Sequence, residues 1–354
     1  EITPHTESPR VPACSCAGRS GDMKRYGGAI IGFIAAVTPF ASWSGESAEN
    51  LYQGHCAACH GGNRLGAMGP ALLPENLGRL KKEHAVSVIL DGRPSTQMPG
   101  FRNDISEAQA AALADLIYSP PETKPTWGRR EITESHSYSG QVPSMNGPGY
   151  DADPLNLFVV VELGDHHATI LDGDRLQPIH RFQTHFAVHG GPKYSNDGRF
   201  VFFASRDGWI AKYDLWSLET VAEVRAGINT RNLAVSDDDR YVMVANTLPN
   251  TLVLLKAEDL SLVRVFDIVG DGGKTSRASA VYTAAPRESF VVALKDIPEV
   301  WEIQYGDDPR PVYNGIMHDY RLEEGLAKES GSFPVRRIRL EDHLDDFFFS
   351  QDYQ

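Results

Sequence analysis

Two stretches of the chain match at an offset of 41 residues. "YSNDGRFVFFASRDGWIAKYDLWSLETVAEVRA" aligns with "VSDDDRYVMVANTLPNTLVLLKAEDLSLVRVFD", so that Ser195 matches Ser236, Gly198 matches Asp239 and Arg199 matches Arg240. A repeat of this length holds four short strands, the period of a β-propeller blade. A single blade cannot bury its faces, so the pattern demands neighbouring copies. The flanking sequence supplies them. "LFVVVEL", "HATILDG", "FVFFASR", "WIAKYDL", "YVMVAN", "TLVLLKA", "FVVALKD" and "VWEIQY" are β-rich runs separated by turn residues. Residues 151–354 therefore read as about four blades of a larger propeller whose closing strand is not among them. A closed four-bladed propeller is the alternative.

A different chemistry precedes the strands. Leu51–Gly62 reads "LYQGHCAACHGG", a Cys-x-x-Cys-His motif. A metal clip, a redox disulfide and a covalent heme anchor all use paired cysteines. The histidine directly after Cys59 favours heme. Two thiols add across the porphyrin vinyl groups, and the imidazole of His60 then lies beneath the iron. A four-thiolate zinc site would need a second Cys-x-x-Cys. The only other cysteines are Cys14 and Cys16. No βαβ pattern nearby supports a thioredoxin-type reading.

Residues 49–119 then carry "GPALLPENLGRL", an apolar-periodic helix around His84–Leu90, "DGRPSTQMPGF" and an alanine- and leucine-rich helix opened by Ser106 and Gln109 as a capping box. This order resembles class I cytochrome c. The resemblance makes Cys56 and Cys59 the heme c anchors, His60 the proximal ligand and Met98 the distal ligand, with Met68 in "LGAMGP" as competitor. His55 reads as a surface residue.

Met23-Lys24-Arg25 followed by "YGGAIIGFIAAVTPFAS" has the charged and apolar regions of a signal peptide over 23–44. Residues 1–22 read as an upstream extension. Export suits heme attachment and predicts a periplasmic protein. Residues 120–150, rich in Pro, Gly and Ser, read as a linker to which Trp127 adds a docking point. The formal charge of −13 excludes a nucleic-acid partner, which needs a basic face. The fold class is thus α plus all-β: a class I cytochrome c domain followed by propeller blades.

"FAVHGGPKYSNDGRFVFFASRDGWIAKYDLW" and "VAEVRAGINTRNLAVSDDDRYVMVAN" resemble the heme d1 propeller of the cytochrome cd1 nitrite reductase family, which has eight blades. The resemblance implies that His189 binds the heme d1 iron and that Arg206 and Arg231 face the macrocycle's carboxylates. Arginine forks suit carboxylates, and imidazole is an ordinary iron ligand. His166, His167, His180 and His185 are alternatives. Nitrite reductases carry two distal histidines that donate protons. Here the first position falls at Ala284 or Ala285 and the second near Asp345, with His343 two residues away. "AAPRESFVVALKDIPEVWEI" and "FPVRRIRLEDHLDDFFFSQDY" are similar to the cytochrome c-bearing branch that oxidises dihydro-heme d1 to heme d1, a propionate to an acrylate, with heme c taking electrons. That branch implies a heme d1 precursor as substrate, a soluble electron acceptor and cytochrome cd1 nitrite reductase as recipient of heme d1. The alternatives are a heme d1 carrier and nitrite reductase itself. No catalytic base can be assigned.

Overall fold

The computed structural model describes residues 46–140, 144–313 and 331–353. The expectations for 1–22 and 23–44, Cys14 and Cys16 included, lie outside the described residues. Among the described residues no helix is long and apolar enough to cross a membrane.

The helical domain opens with α1 (Ala48–His55), capped by the Ser47 hydroxyl, which accepts from the Asn50 N–H. Cys56 ends α1 and opens the one-turn α2 (Ala57–His60). Next come α3 (Lys82–Asp91) and α4 (Glu107–Tyr118). The expected capping box forms on α4: Ser106 Oγ accepts from Gln109 N–H, and Gln109 Oε1 accepts from Ser106 N–H. Leu51, Tyr52, Ile89, Ala110, Leu113 and Ile117 fill the core of this domain. The 3.6-residue spacing on α4 puts Ala110, Leu113, Ala114 and Ile117 on one buried face.

The stretch expected to be a linker is more ordered than its composition suggests. It contains α5 (Arg129–Ser135) and the short strand β1 (Ser137–Tyr138). Ile132 is fully buried, and Trp127 docks with it beneath the second blade.

Four antiparallel sheets follow. The first blade holds β2 (Leu157–Glu162), β3 (His167–Asp172) and β4 (Gln177–Gln183). The second holds β5 (Lys193–Tyr194), β6 (Phe200–Ala204), β7 (Trp209–Asp214) and β8 (Glu219–Arg225), with β1 added outside β8. The third holds β9 (Asn229–Val235), β10 (Tyr241–Leu248), β11 (Thr251–Lys256) and β12 (Leu262–Asp267). The fourth holds β13 (Ala278–Ala284), β14 (Ser289–Leu294), β15 (Glu299–Gln304) and β16 (Val335–Arg339).

The cores lie between blades. Ile170 of the first blade meets Val201, Phe203 and Tyr213 of the second. Phe202, Ile210 and Val224 of the second meet Leu233, Val242 and Val253 of the third. Met243, Leu252 and Leu254 of the third meet Val281, Phe290 and Trp301 of the fourth. Apolar residues on both faces of a sheet are what stacking requires.

The 41-residue repeat has a local cause. Ser195 Oγ donates to Asp197 at 2.5 Å, and Arg199 N–H donates to the same carboxylate at 3.0 Å. Ser236, Asp238 and Arg240 repeat the turn at 2.6 and 3.0 Å. Between them Gly198 and Asp239 both take positive φ, 71° and 56°. The matched pair therefore marks the same left-handed turn position, which glycine and aspartate tolerate better than most residues.

Candidate functional site

Cys56 and Cys59 lie half-buried as free thiols on consecutive turns. Burial first, then the neighbouring Cys59, pushes the Cys56 thiol up to about 11. His60 is buried. Its Nδ1–H donates to the Pro70 carbonyl at 2.8 Å, which leaves the Nε2 lone pair as the ligating atom. Burial holds its pKa below the usual histidine value, so the imidazole is neutral. The loop after it is built around this ring. Gly66 N–H returns to the His60 carbonyl, and a Cβ on Gly69 would lie 2.8 Å from His60 Cε1. Two accessible thiols and a neutral, oriented imidazole fit a covalently attached c-type heme.

Met98 is half-buried in a loop held by the Arg93 N–H bond to its carbonyl, 3.1 Å. Met68 is 52% exposed. His55 departs from the expected surface position: it is half-buried, its ring edge-on to Phe101 at 5.7 Å. Phe101 follows the Met98-Pro99-Gly100 turn, and this contact ties that turn to α1.

His189, Arg206 and Arg231 come together. His189 precedes β5, its N–H bonded to Ala204 O on β6. Arg206 follows β6, and Arg231 lies on the neighbouring inner strand, β9. The His189 Nδ1–H donates to the Arg231 carbonyl at 2.9 Å. Its Nε2 accepts from Arg206 Nη2 at 2.8 Å. This is the same tautomer as in His60, except that here the Nε2 lone pair is taken by Arg206. Burial, then the charges of Arg206, Arg231 and Arg79, outweighs the carbonyl bond and lowers the His189 pKa. Gly190, at φ +86°, lets the backbone press against β9: a Cβ there would sit 2.5 Å from Asn232 Cβ. Asn232 joins β9 to β13 through two bonds with Val281.

The cluster is cationic. Burial, then Arg231 and Arg79, lowers Arg206 to about 10. Among the described residues Arg206 has no carboxylate partner. Arg231 donates to Ser279 O at 2.7 Å and reaches Asp346 at 3.4 Å. Half-buried arginines that repel one another favour an anionic ligand with more than one carboxylate. A cavity of about 370 Å³ lies farther along the inner strands, lined by Lys193, Tyr194, Val235, Tyr282, Phe348 and other residues. It adjoins the cluster: Lys193 Nζ donates to Gly190 O at 2.9 Å, and Tyr282 and Arg231 share Asp346.

The alternative histidines have other partners. His185 bonds Glu223 at 2.8 Å and stacks on Trp209, His180 stacks on Phe182, and His167 lies against Asp165. His166 Nδ1 accepts from Ala187 N–H at 3.4 Å. The expected distal positions separate. Asp345 pairs with Lys295 and feels Arg231 and Arg79, so it borders the cluster. Arg231 meets β13 at Ser279, and Ala284 and Ala285 lie toward that strand's other end, by Ser289.

The helical domain rests on the blades through loops on both sides of its heme site. Arg225 Nη2 donates to Leu65 O, in the loop after His60, while its Nε donates to Asp207 O at 2.8 Å. Trp127 packs under this guanidinium at 4.5 Å and donates to Arg225 O at 2.8 Å. Leu65, Ala71 and Leu73 bury against Ile228. On the methionine side Gln97 donates to Asp165 O at 3.2 Å. Asp207, 2% exposed, is pushed up to about 6 by burial, against the pull of His185 and Arg225. No sequence signal marked Arg225 or Asp207. The glycines of "MGP" and "HGG" were visible signals for close backbone approach.

Comparison with known proteins accords with this geometry. Residues 152–319 match the family described as "Cytochrome D1 heme domain", and residues 44–117 match "Cytochrome C oxidase, cbb3-type, subunit III". The chain is 53% identical over 307 residues to the dihydro-heme d1 dehydrogenase of Pseudomonas aeruginosa, covering 86% of this chain and 58% of that protein. A nitrite reductase of Stutzerimonas stutzeri shares 23% identity over 303 residues, 77% of this chain and 53% of the reductase. A solved structure of a dihydro-heme d1 dehydrogenase in complex with DHE superposes with a TM-score of 0.74 at 52% identity, covering 86% of this chain and 61% of that one. The chain thus spans somewhat more than half the length of the curated relatives it matches.

Proposed function

We propose that the chain, whose residues match a cytochrome D1 heme domain and a cbb3-type subunit III model and which is 53% identical to a dihydro-heme d1 dehydrogenase, belongs with those dehydrogenases and oxidises dihydro-heme d1 to heme d1. In that reaction a propionate side chain becomes an acrylate. Two adjacent carbons each lose a hydrogen, released together as two protons and two electrons. The observation that carries the reading is the His189 cluster: an imidazole whose Nε2 is an acceptor, held by Arg206, beside two arginines suited to carboxylates.

Heme c, which Cys56, Cys59, His60 and Met98 would hold, would supply a one-electron acceptor, so each substrate would reduce it twice, with the soluble acceptor reoxidising it in between. The chain's own residues orient the substrate. The Arg231 carbonyl fixes the His189 tautomer, so Nε2 would be the atom that binds the iron of the substrate. Arg206 now holds that lone pair and must yield it, turning its fork to a carboxylate. Arg231 exchanges Asp346, a weak partner at 3.4 Å, for another carboxylate. Contacts through Leu65 and Gln97 keep the helical domain against the blades, so the electron acceptor stays close during turnover.

The test is anaerobic addition of dihydro-heme d1 to the oxidised full-length protein. Reduction of heme c accompanied by the absorption change to heme d1 is expected. Binding without reduction would instead support a heme d1 carrier, and rapid nitrite turnover would support a nitrite reductase. Export to the periplasm, release of heme d1 to cytochrome cd1 nitrite reductase and a soluble electron acceptor belong to the same proposal.

A further inference from the structure

Arg225 closes β8 and is buried, and its guanidinium bridges two loops. Nη2 donates to Leu65 O in the helical domain. Nε donates at 2.8 Å to Asp207 O, in the turn between β6 and β7. The Trp127 ring lies 4.5 Å from the guanidinium carbon, and its Nε1 donates to Arg225 O at 2.8 Å.

Each of the two carbonyls belongs to a loop fastened to a site residue. Gly66 N–H, next to Leu65, bonds His60 O at 2.9 Å, and Gly69 N–H bonds Cys59 O at 2.8 Å. Asp207 follows Arg206, whose Nη2 donates to His189 Nε2 at 2.8 Å. That turn has no slack against the end of β8. A Cβ on Gly208 would lie 1.9 Å from Gly227 O, and Ala226 N–H bonds Gly208 O at 2.8 Å. One guanidinium thus stands between the loop of His60 and the turn of Arg206.

Cohesion alone does not call for an arginine here. Burying a guanidinium is costly, and an apolar side chain of similar volume often serves a packed seam as well. Leu65, Ala71, Leu73 and Ile228 already supply such packing. Asp207 is buried, and among the described residues neither of its carboxylate oxygens has a hydrogen-bond partner. Arg225 therefore directs these donors at backbone carbonyls and not at the carboxylate of the same Asp207. A planar fork bonded to two carbonyls fixes a distance and an angle between two loops, which a packed apolar side chain does not.

We propose that Arg225 is a positioning residue for electron transfer: by holding Leu65 O and Asp207 O in one fork it fixes the His60 loop against the Arg206 turn, and so sets the gap that each electron crosses from the bound tetrapyrrole to heme c. This rests on the reading given under Proposed function.

The full-length, heme c-loaded protein tests it. Arg225→Met keeps an apolar stem and loses both bonds. At saturating dihydro-heme d1, without oxygen, the first reduction of its heme c should be about tenfold slower than in the parent. Affinity for dihydro-heme d1 and the heme c spectrum should stay those of the parent. Arg225→Lys, which keeps the charge but not the fork, should restore part of the rate. With no tetrapyrrole ligand added, the backbone amides of residues 61–73 should exchange with deuterium faster in Arg225→Met, read by mass spectrometry. A folded Arg225→Met protein with the parent's rate, or with the parent's exchange, would overturn the proposal, as would a rate loss that merely follows an equal loss of affinity. If Arg225→Met does not fold, Arg225→Lys decides, and the parent's rate in that variant overturns the proposal. If the parent binds dihydro-heme d1 and its heme c stays oxidised, the dehydrogenase reading falls and this proposal with it. If the parent reduces heme c and the variants do so equally fast, only the role of Arg225 falls.

Discussion

His60 and His189 share one device: a backbone carbonyl accepts from Nδ1–H, which makes Nε2 the acceptor, bonded to Arg206 in His189. The residues around them differ, and so should their variants. His189→Ala removes an iron bond and should change the spectrum of bound heme d1; a folded variant with an unaltered spectrum would exclude His189 as ligand. Arg206→Gln should leave that spectrum alone and weaken binding about ten- to a hundredfold, measured by titration. In the cytochrome domain, Met98→Ala should abolish the sulfur-to-iron charge-transfer band, and Met68→Ala should keep it. The reverse result would make Met68 the ligand. Asp207 gives a pH prediction. Its folded pKa, about 6, lies above the unfolded value near 4, so the folded state holds the proton more tightly. Stability should therefore fall by about 2–3 kcal/mol as pH rises from about 4 to 6, then level off. Denaturant titrations across that range should show the fall flattened in Asp207→Asn.

At the scale of elements, the middle strands were legible and the flanking ones less so. β10 and β11 are apolar nearly throughout because both of their faces are buried between blades. β4 and β16 lie at outer edges, mostly exposed, and their sequences carry little hydrophobic pattern. The inner strand β9 reads "NTRNLAV" because Thr230 and Asn232 bond to neighbouring elements. Thr230 bonds Asn246 within the blade and Asn232 bonds Val281 of the next, contacts that no local pattern reveals. The heme motif was fully local and was read from the sequence. The cluster at His189 joins residues from two blades, so only the resemblance pointed to it. The stretch 120–150 was misjudged because its composition is that of a loop, while tertiary packing supplies the order of α5 and β1. Ile132→Ala, at a fully buried position, should cost about 2–5 kcal/mol in unfolding free energy. A change within experimental scatter would mean that α5 does not hold the second blade.

For the molecule as a whole, the arrangement of the helical domain on the blades depends on dispersed contacts: the Leu65–Ile228 cluster, Arg225 on Leu65, Gln97 on Asp165 and Trp127 beneath Arg225. Except for Trp127, they join loops of the helical domain to the blades and not to the connecting stretch 120–150. Glu122, Thr123 and Lys124 are exposed and make no regular structure. A glutamyl endopeptidase should therefore nick the protein after Glu122. The two fragments, although no longer one polypeptide, should then travel together in gel filtration and part only in denaturant, with Trp127 and α5 on the larger piece still sealing the seam. Separation under native conditions would show that the peptide connection, not the surface it spans, keeps the halves together. If they stay joined, each half could be expressed from its own gene and the pair reconstituted by mixing.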